Sequence, residues 1–158
     1  MKIRIAGISN DSIVDGEGIR FTVFVQGCLR GCAGCHNPQT HDIHGGYEVE
    51  IDELIEKMKK NPILTGLTIS GGEPFLQAFE CAELARKAHE IGLDVWCYTG
   101  FTYEYIRDDP FGYYTKLLDE VDILVDGEFK LEERTLELPW RGSKNQRIIN
   151  LNDIRKKN

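Results

Sequence analysis

The sequence predicts an α/β fold: a partial, open βα barrel or a doubly wound sheet of about six mainly parallel strands, with residues 1–158 forming one domain. Three observations predict it. Short apolar runs rich in β-branched residues recur along the chain, and helical stretches long enough for crossovers separate the later ones. Their number falls short of the eight strands that close a full barrel. Polar or glycine-bearing motifs at Cys28 to Cys35, Gly71 to Pro74, Thr99-Gly100 and Asp126-Gly127 each come directly after a strand, at the edge where parallel α/β folds bind ligands.

Each element has its own warrant. "KIRIAGI" (2–8) and "FTVFVQG" (21–27) read as strands from apolar alternation, and the polar, glycine-bearing "SNDSIVDGEGIR" between them reads as a loop. "HNPQTHDIHGG" is a second loop. "EIDELIEKMKK" (50–60) places Ile51, Leu54, Ile55 and Met58 at helical spacing, and Asn61-Pro62 ends it. "LTIS" (67–70) is a buried-type strand running into Gly71-Gly72-Glu73-Pro74, followed by a helix from about Phe75 to Ile91 with Gly92 as its terminating glycine. "DVWCYT" (94–99) is a strand, after which a helical stretch breaks at Pro110 and resumes near Tyr113. "DILVDG" (122–127) and "QRIINL" (146–151) complete the set.

Composition narrows the class. The chain carries 19 Lys and Arg against 26 Asp and Glu, a formal charge of −7, which argues against a nucleic-acid or anionic-membrane surface. The basic end "RKKN" reads as a solvated helix terminus. "MKIRIAGISN" has no apolar signal-like core and no run approaches the ~18 apolar residues of a membrane span, so the expected location is the cytoplasm. Five cysteines, three of them crowded together, do not suit a secreted disulfide framework. Cys81 and Cys97 stand apart in apolar segments and read as buried small hydrophobes.

"GCLRGCAGC" supplies three thiols, Cys28, Cys32 and Cys35, in a loop after a strand. Zinc would take a fourth ligand, with His36, His41 and His44 nearby. An iron–sulfur cluster, ordinarily held by four cysteines, would be left with one open iron for a functional ligand. In "SGGEP" two glycines let the backbone approach a ligand closely, Glu73 adds an acceptor suited to an ammonium group, and Pro74 fits a first helical turn. Taken alone, that stretch also reads as an ordinary strand-to-helix turn.

The two motifs in this order resemble the radical S-adenosylmethionine superfamily. The resemblance implies a radical SAM type of barrel and a [4Fe-4S] cluster on Cys28, Cys32 and Cys35, whose unique iron is chelated by the amino and carboxylate groups of S-adenosylmethionine. It assigns cofactor contacts to Gly34, Cys35 and His36, to Gly71, Gly72, Glu73 and Pro74, and to Thr99 and Asp126 on the same rim. Gly34 stands where many members have an aromatic residue against the adenine, so backbone groups of Gly34 to His36 become the expected contact; His36 reads equally as a loop histidine. "DGEGIR" (15–20) resembles the signature of glycyl-radical enzyme activases. "CAGCHNPQT", "YTG", "DGEF" and "WRGSKNQRII" resemble the branch that serves anaerobic ribonucleotide reductase.

What this branch implies is reductive cleavage of S-adenosylmethionine to a 5′-deoxyadenosyl radical that takes a hydrogen from one glycine of the reductase. The partners implied are the large, glycyl-radical subunit of that reductase and a low-potential electron donor such as flavodoxin or ferredoxin. The alternatives are activation of another glycyl-radical enzyme, radical chemistry on a small molecule such as a queuosine precursor, and, from a different class, a zinc-stabilised adaptor. Asp15, Glu17 and Arg20, and likewise Arg141, Asn145, Gln146 and Arg147, read either as docking residues or as turn-stabilising residues, with no catalytic role assigned.

Overall fold

A computed structural model describes residues 1–27, 45–128, 130, 133 and 140–156. Among these residues seven strands form one sheet in the order β3-β1-β2-β4-β5-β6-β7. They are β1 (Lys2–Ser12), β2 (Arg20–Val25), β3 (Tyr47–Glu50), β4 (Gly66–Gly71), β5 (Asp94–Tyr98), β6 (Ile123–Asp126) and β7 (Arg147–Asn150). The helices are α1 (Ile51–Lys59), α2 (Ala78–Glu90), α3 (Tyr103–Arg107), α4 (Tyr113–Leu118) and α5 (Leu151–Lys156), and a 3₁₀ turn at Pro74–Gln77 leads into α2.

The expected α/β class holds, and two details are corrected. The sheet is parallel only in its middle, β2-β4-β5-β6; the pairs β1-β2, β1-β3 and β6-β7 are antiparallel. A short loop with no helix joins β1 to β2, and such a connection returns the chain antiparallel, whereas the parallel pairs need crossovers. The additional strand is β3, an edge strand whose Glu48 and Glu50 lie opposite Arg4 and Lys2 of β1. Charges on an edge strand hide it from a search for apolar alternation and also protect it from pairing with another chain.

Alternation gives the middle strands two different faces. Phe21, Val23 and Val25 of β2, Leu67 and Ile69 of β4, Val95 and Cys97 of β5 and Leu124 of β6 join one core. Leu54 and Met58 of α1 and Cys81, Leu84 and Ala88 of α2 close over it, the i, i+3, i+4 spacing having put them on one side of each helix. The opposite face carries Thr22, Thr68, Trp96 and Tyr98, which is a polar and aromatic surface. Trp140 lies edge-on to Trp96 there, ring centroids 5.2 Å apart.

Among the described residues no helix is long and apolar enough to cross a membrane.

Candidate functional site

The carboxyl ends of β2, β4, β5 and β6 converge on one edge, and the hydrogen bonds there show how the motifs meet. After β4 the chain turns at Gly71, with φ at 101°, in the region favouring glycine; a Cβ there would fall 2.5 Å from the Val25 nitrogen. Gly72 N–H donates to the Val25 carbonyl at 2.9 Å and Glu73 N–H to the Gly27 carbonyl at 2.7 Å. Gly27 is one peptide bond from Cys28, so the Gly-Gly-Glu-Pro turn is tied to the strand end that enters the cysteine motif. Cys28, Cys32, Gly34, Cys35, His36, His41 and His44 lie outside the described residues.

Glu73 is only 1% exposed, and its carboxylate is engaged within the chain. One oxygen accepts from Phe75 N–H at 3.1 Å and Thr99 Oγ1 at 2.8 Å, the other from Gly100 N–H at 2.9 Å. The first bond caps the 3₁₀ turn that Pro74 opens. The other two fasten the end of β5 to the turn after β4. Thr99 completes the junction by donating its own N–H to the Val125 carbonyl at 3.0 Å.

Asp126, also 1% exposed, does the same for the next strand. It accepts from Tyr103 N–H, the first residue of α3, at 2.7 Å, and both of its oxygens meet the Arg147 guanidinium of β7, Nε at 3.0 Å. Arg147 reaches on to Glu104 at 2.7 Å. These carboxylates hold the guanidinium well above its usual range, and Arg147 in turn lowers the Glu104 carboxyl. The structure thus places Gly71, Gly72, Glu73, Pro74, Thr99 and Asp126 along one edge, with the three polar side chains bracing it.

Sequence reasoning missed Gln77. Its side chain accepts from Arg4 N–H at 2.9 Å and donates to the carbonyls of Arg4, at 2.8 Å, and Gln26, at 3.2 Å. It therefore fastens the turn after Pro74 to β1 and to the end of β2, beside a register shift in β1. A lone glutamine has no signature; only the bulge creates its task.

In both ambiguous segments several side chains make hydrogen bonds that stabilise their turns. In the 15–20 loop, Arg20 is fully buried and donates to Thr68 Oγ1 (2.7 Å), Glu17 O (2.7 Å), Leu67 O (2.8 Å) and Asp94 Oδ1 (2.5 Å). Asp15 accepts from Ser12 Oγ at 2.5 Å and Thr22 Oγ1 at 3.1 Å, and its carbonyl from Thr68 Oγ1 at 2.8 Å. A Cβ on Gly16 would fall 2.8 Å from Arg20 Cδ and 2.9 Å from the Trp96 ring, so the loop closes only with glycine there.

In the 141–147 segment, Gln146 Oε1 accepts from Gly142 and Ser143 N–H, and its Nε2 donates to the Gly127 carbonyl at 3.1 Å. Asn145 Nδ2 donates to the Glu128 carbonyl at 2.8 Å. The turn is thereby sewn to the end of β6.

Residues 14–149 match the family described as a 4Fe-4S single cluster domain. The anaerobic ribonucleoside-triphosphate reductase-activating protein of Vibrio cholerae is 37% identical over 145 residues, covering 86% of this chain and 90% of that one. The proteins of the same name from bacteriophage T4 and Escherichia coli K12 are 34% and 32% identical, over 85% and 88% of this chain and 86% and 93% of theirs.

Proposed function

The chain belongs to the 4Fe-4S single cluster domain family and to the anaerobic ribonucleoside-triphosphate reductase-activating proteins, and from that premise we propose that it generates the glycyl radical of an anaerobic ribonucleotide reductase. The carrying observation is the hydrogen bond from Glu73 N–H to the carbonyl of Gly27, because it joins the two motifs that this chemistry requires.

The donor set fits a cluster. Three cysteines suit three irons with one left for a functional ligand, and the Gly71–Pro74 turn is fastened to Gly27, the residue before Cys28. Cys28, Cys32 and Cys35 would hold the cluster. Gly71 to Pro74 would receive the methionine end of S-adenosylmethionine, and Gly34 to His36 its adenine. When bound, the cluster supplies the electron that cleaves S-adenosylmethionine to methionine and the 5′-deoxyadenosyl radical. Glu73 contributes by holding the turn and the end of β5 in one geometry. Thr99 and Asp126 extend that bracing along the rim, so the cofactor meets a preorganised edge.

Three finer features belong to the same proposal. The polar face with Thr68, Trp96 and Tyr98 would be the interior of an open barrel, where water exclusion protects radical chemistry. A low-potential flavodoxin or ferredoxin would supply electrons in the cytoplasm. The large reductase subunit would cover the open edge.

The test is anaerobic reconstitution with iron, sulfide, reductant, S-adenosylmethionine and the cognate reductase. A glycyl doublet by electron paramagnetic resonance on the reductase is expected. An intact cluster giving no such signal overturns the proposal. Cys28→Ala, Cys32→Ala and Cys35→Ala should each abolish cluster retention, read as iron content.

A further inference from the structure

A second concave surface lies next to this edge. The turn between α3 and α4 shapes a groove of about 570 Å³, lined among others by Glu104, Tyr105, Asp108, Asp109, Phe111 and Tyr114. Phe111 is 91% exposed and Tyr105 56%, an expensive display of aromatic surface unless something covers it. Its aromatic wall is packed ring against ring: Tyr105 stacks on Phe101 at 5.0 Å, and Tyr114 lies 5.3 Å from Phe101.

Every charged residue among the described ones that line it is acidic. Arg147 engages Glu104, and Arg107 engages Asp108 at 2.9 Å while lying over the Tyr103 ring. Asp109 differs. Its oxygens accept from Tyr114 N–H at 2.9 Å and Phe111 N–H at 3.1 Å, and no cationic side chain pairs with it among the described residues. The Tyr114 N–H, and to a smaller extent that of Phe111, hold the Asp109 carboxyl below its usual range despite the opposing effect of burial, so it stays charged. Aromatic rings beside an unneutralised carboxylate attract an ammonium or guanidinium group, through the ring quadrupole and through a charge-assisted hydrogen bond.

The groove also shares a wall with the cofactor edge. The Tyr114 ring packs edge-on against Phe75, next to Pro74, at 6.1 Å. Glu104 shares Arg147 with Asp126. A polypeptide that brings a glycine to the edge has the groove within the same footprint.

We propose that this groove docks an arginine- or lysine-bearing, otherwise apolar segment of the polypeptide whose glycine the chain activates, an inference that rests on the function proposed above. Phe111 and Tyr105 take the apolar part, and Asp109 takes the cation.

The experiment measures anaerobic binding of the cluster-loaded chain to the cognate reductase, for the unaltered protein, Phe111→Ser and Asp109→Asn. Asparagine keeps an acceptor for one of the two backbone N–H groups and Phe111 is exposed, and the denaturant midpoint of each variant checks that it folds. Their release of 5′-deoxyadenosine with a chemical reductant and no reductase should be unchanged. Affinity for the reductase is expected to fall about tenfold or more in each, as for a well-covered anchor. The salt dependence of binding should also flatten in Asp109→Asn.

Unchanged affinity in both variants, beside an unaltered chain that binds and yields the glycyl radical, overturns the groove alone. An unaltered chain that gives no radical overturns the proposed function and the groove with it. Loss of self-association in Phe111→Ser, with reductase affinity intact, assigns the surface to a second copy of this chain and also overturns the proposal.

Discussion

The two ends of the parallel strands solve opposite problems with opposite charges. At the amino ends, where β2, β4 and β5 begin, a buried cation gathers oxygen atoms: Arg20 donates to carbonyls of Glu17 and Leu67 and to Thr68 and Asp94. At the carboxyl ends, buried anions gather N–H groups: Glu73 accepts from Phe75 and Gly100, and Asp126 from Tyr103. An unpaired buried charge is costly, so each is surrounded by partners from several elements, and each ties neighbouring strands of the sheet together at one end. The amino end is a lock built on the arginine that closes "DGEGIR". The carboxyl end is a brace around the place where the motifs meet.

If the amino end is purely a lock, breaking it should cost stability and nothing specific to chemistry. Arg20→Met carries the largest expected effect. It leaves the carbonyls of Glu17 and Leu67 without this donor and removes the guanidinium lying 5.4 Å from the Trp96 ring centroid. A loss of about 3 kcal/mol or more is expected, read as the denaturant midpoint. Asp94→Asn should cost under about 1 kcal/mol, because the Asp94 side chain is half exposed and solvent already serves it. A comparable loss in both variants would make the ion pair, rather than the carbonyl contacts, the source of the lock.

The carboxyl end should respond in two ways at once. Glu73→Ala removes an acceptor for three donors in a site closed to water and should cost about 2 kcal/mol. It should also weaken S-adenosylmethionine binding while iron content stays unchanged. Weakened stability with unaltered S-adenosylmethionine affinity would reduce Glu73 to the same kind of lock as Arg20.

How much of this contrast was legible beforehand depended on the range of each interaction. The apolar spacing of Ile51, Leu54, Ile55 and Met58 is local, so α1 was readable, and all four are buried. The break at Pro110 likewise separates α3 from α4. β3 was hidden because its charges make sense only opposite Lys2 and Arg4. The same holds for the pairing of Asp126 with Arg147, 21 positions away, and for Gln77, which serves Arg4 from 73 positions away. "DGEGIR" drew attention as a motif, but that its arginine serves a lock emerges only when Leu67, Thr68 and Asp94 are brought beside it.

A smaller effect is expected on acidification. Burial acts to raise the Asp122 carboxyl, but hydrogen bonds from His89 (2.8 Å), Asn152 (3.0 Å) and Val95 N–H (2.8 Å) outweigh it and leave it below its usual range. Arg147 lowers Glu104 similarly. A carboxyl whose folded value lies below its unfolded one, about 4, stabilises the fold fully above that value and loses the contribution as pH falls through the folded one. The denaturant midpoint should therefore drop between pH 5 and pH 3, and Asp122→Asn should flatten that drop. An equally steep drop in the variant would place the acid sensitivity elsewhere.

The smallest effect should come from the two cysteines away from the motif, and its smallness carries information. Cys81 on α2 and Cys97 on β5 are fully buried in the helix-covered core. Burial pushes both thiols well up, with lesser contributions from Glu80 and Glu73 for Cys81 and from Cys81 and Glu73 for Cys97. A metal ligand must be the thiolate, and a thiol held protonated in apolar surroundings is inert. Cys81→Ala and Cys97→Ala should each cost about 1 kcal/mol for the vacated volume and leave the iron per chain unchanged. Iron lost from either variant at undiminished stability would move a ligand from the edge into the core. It would also break the division between a face that only packs and an edge proposed to hold the chemistry.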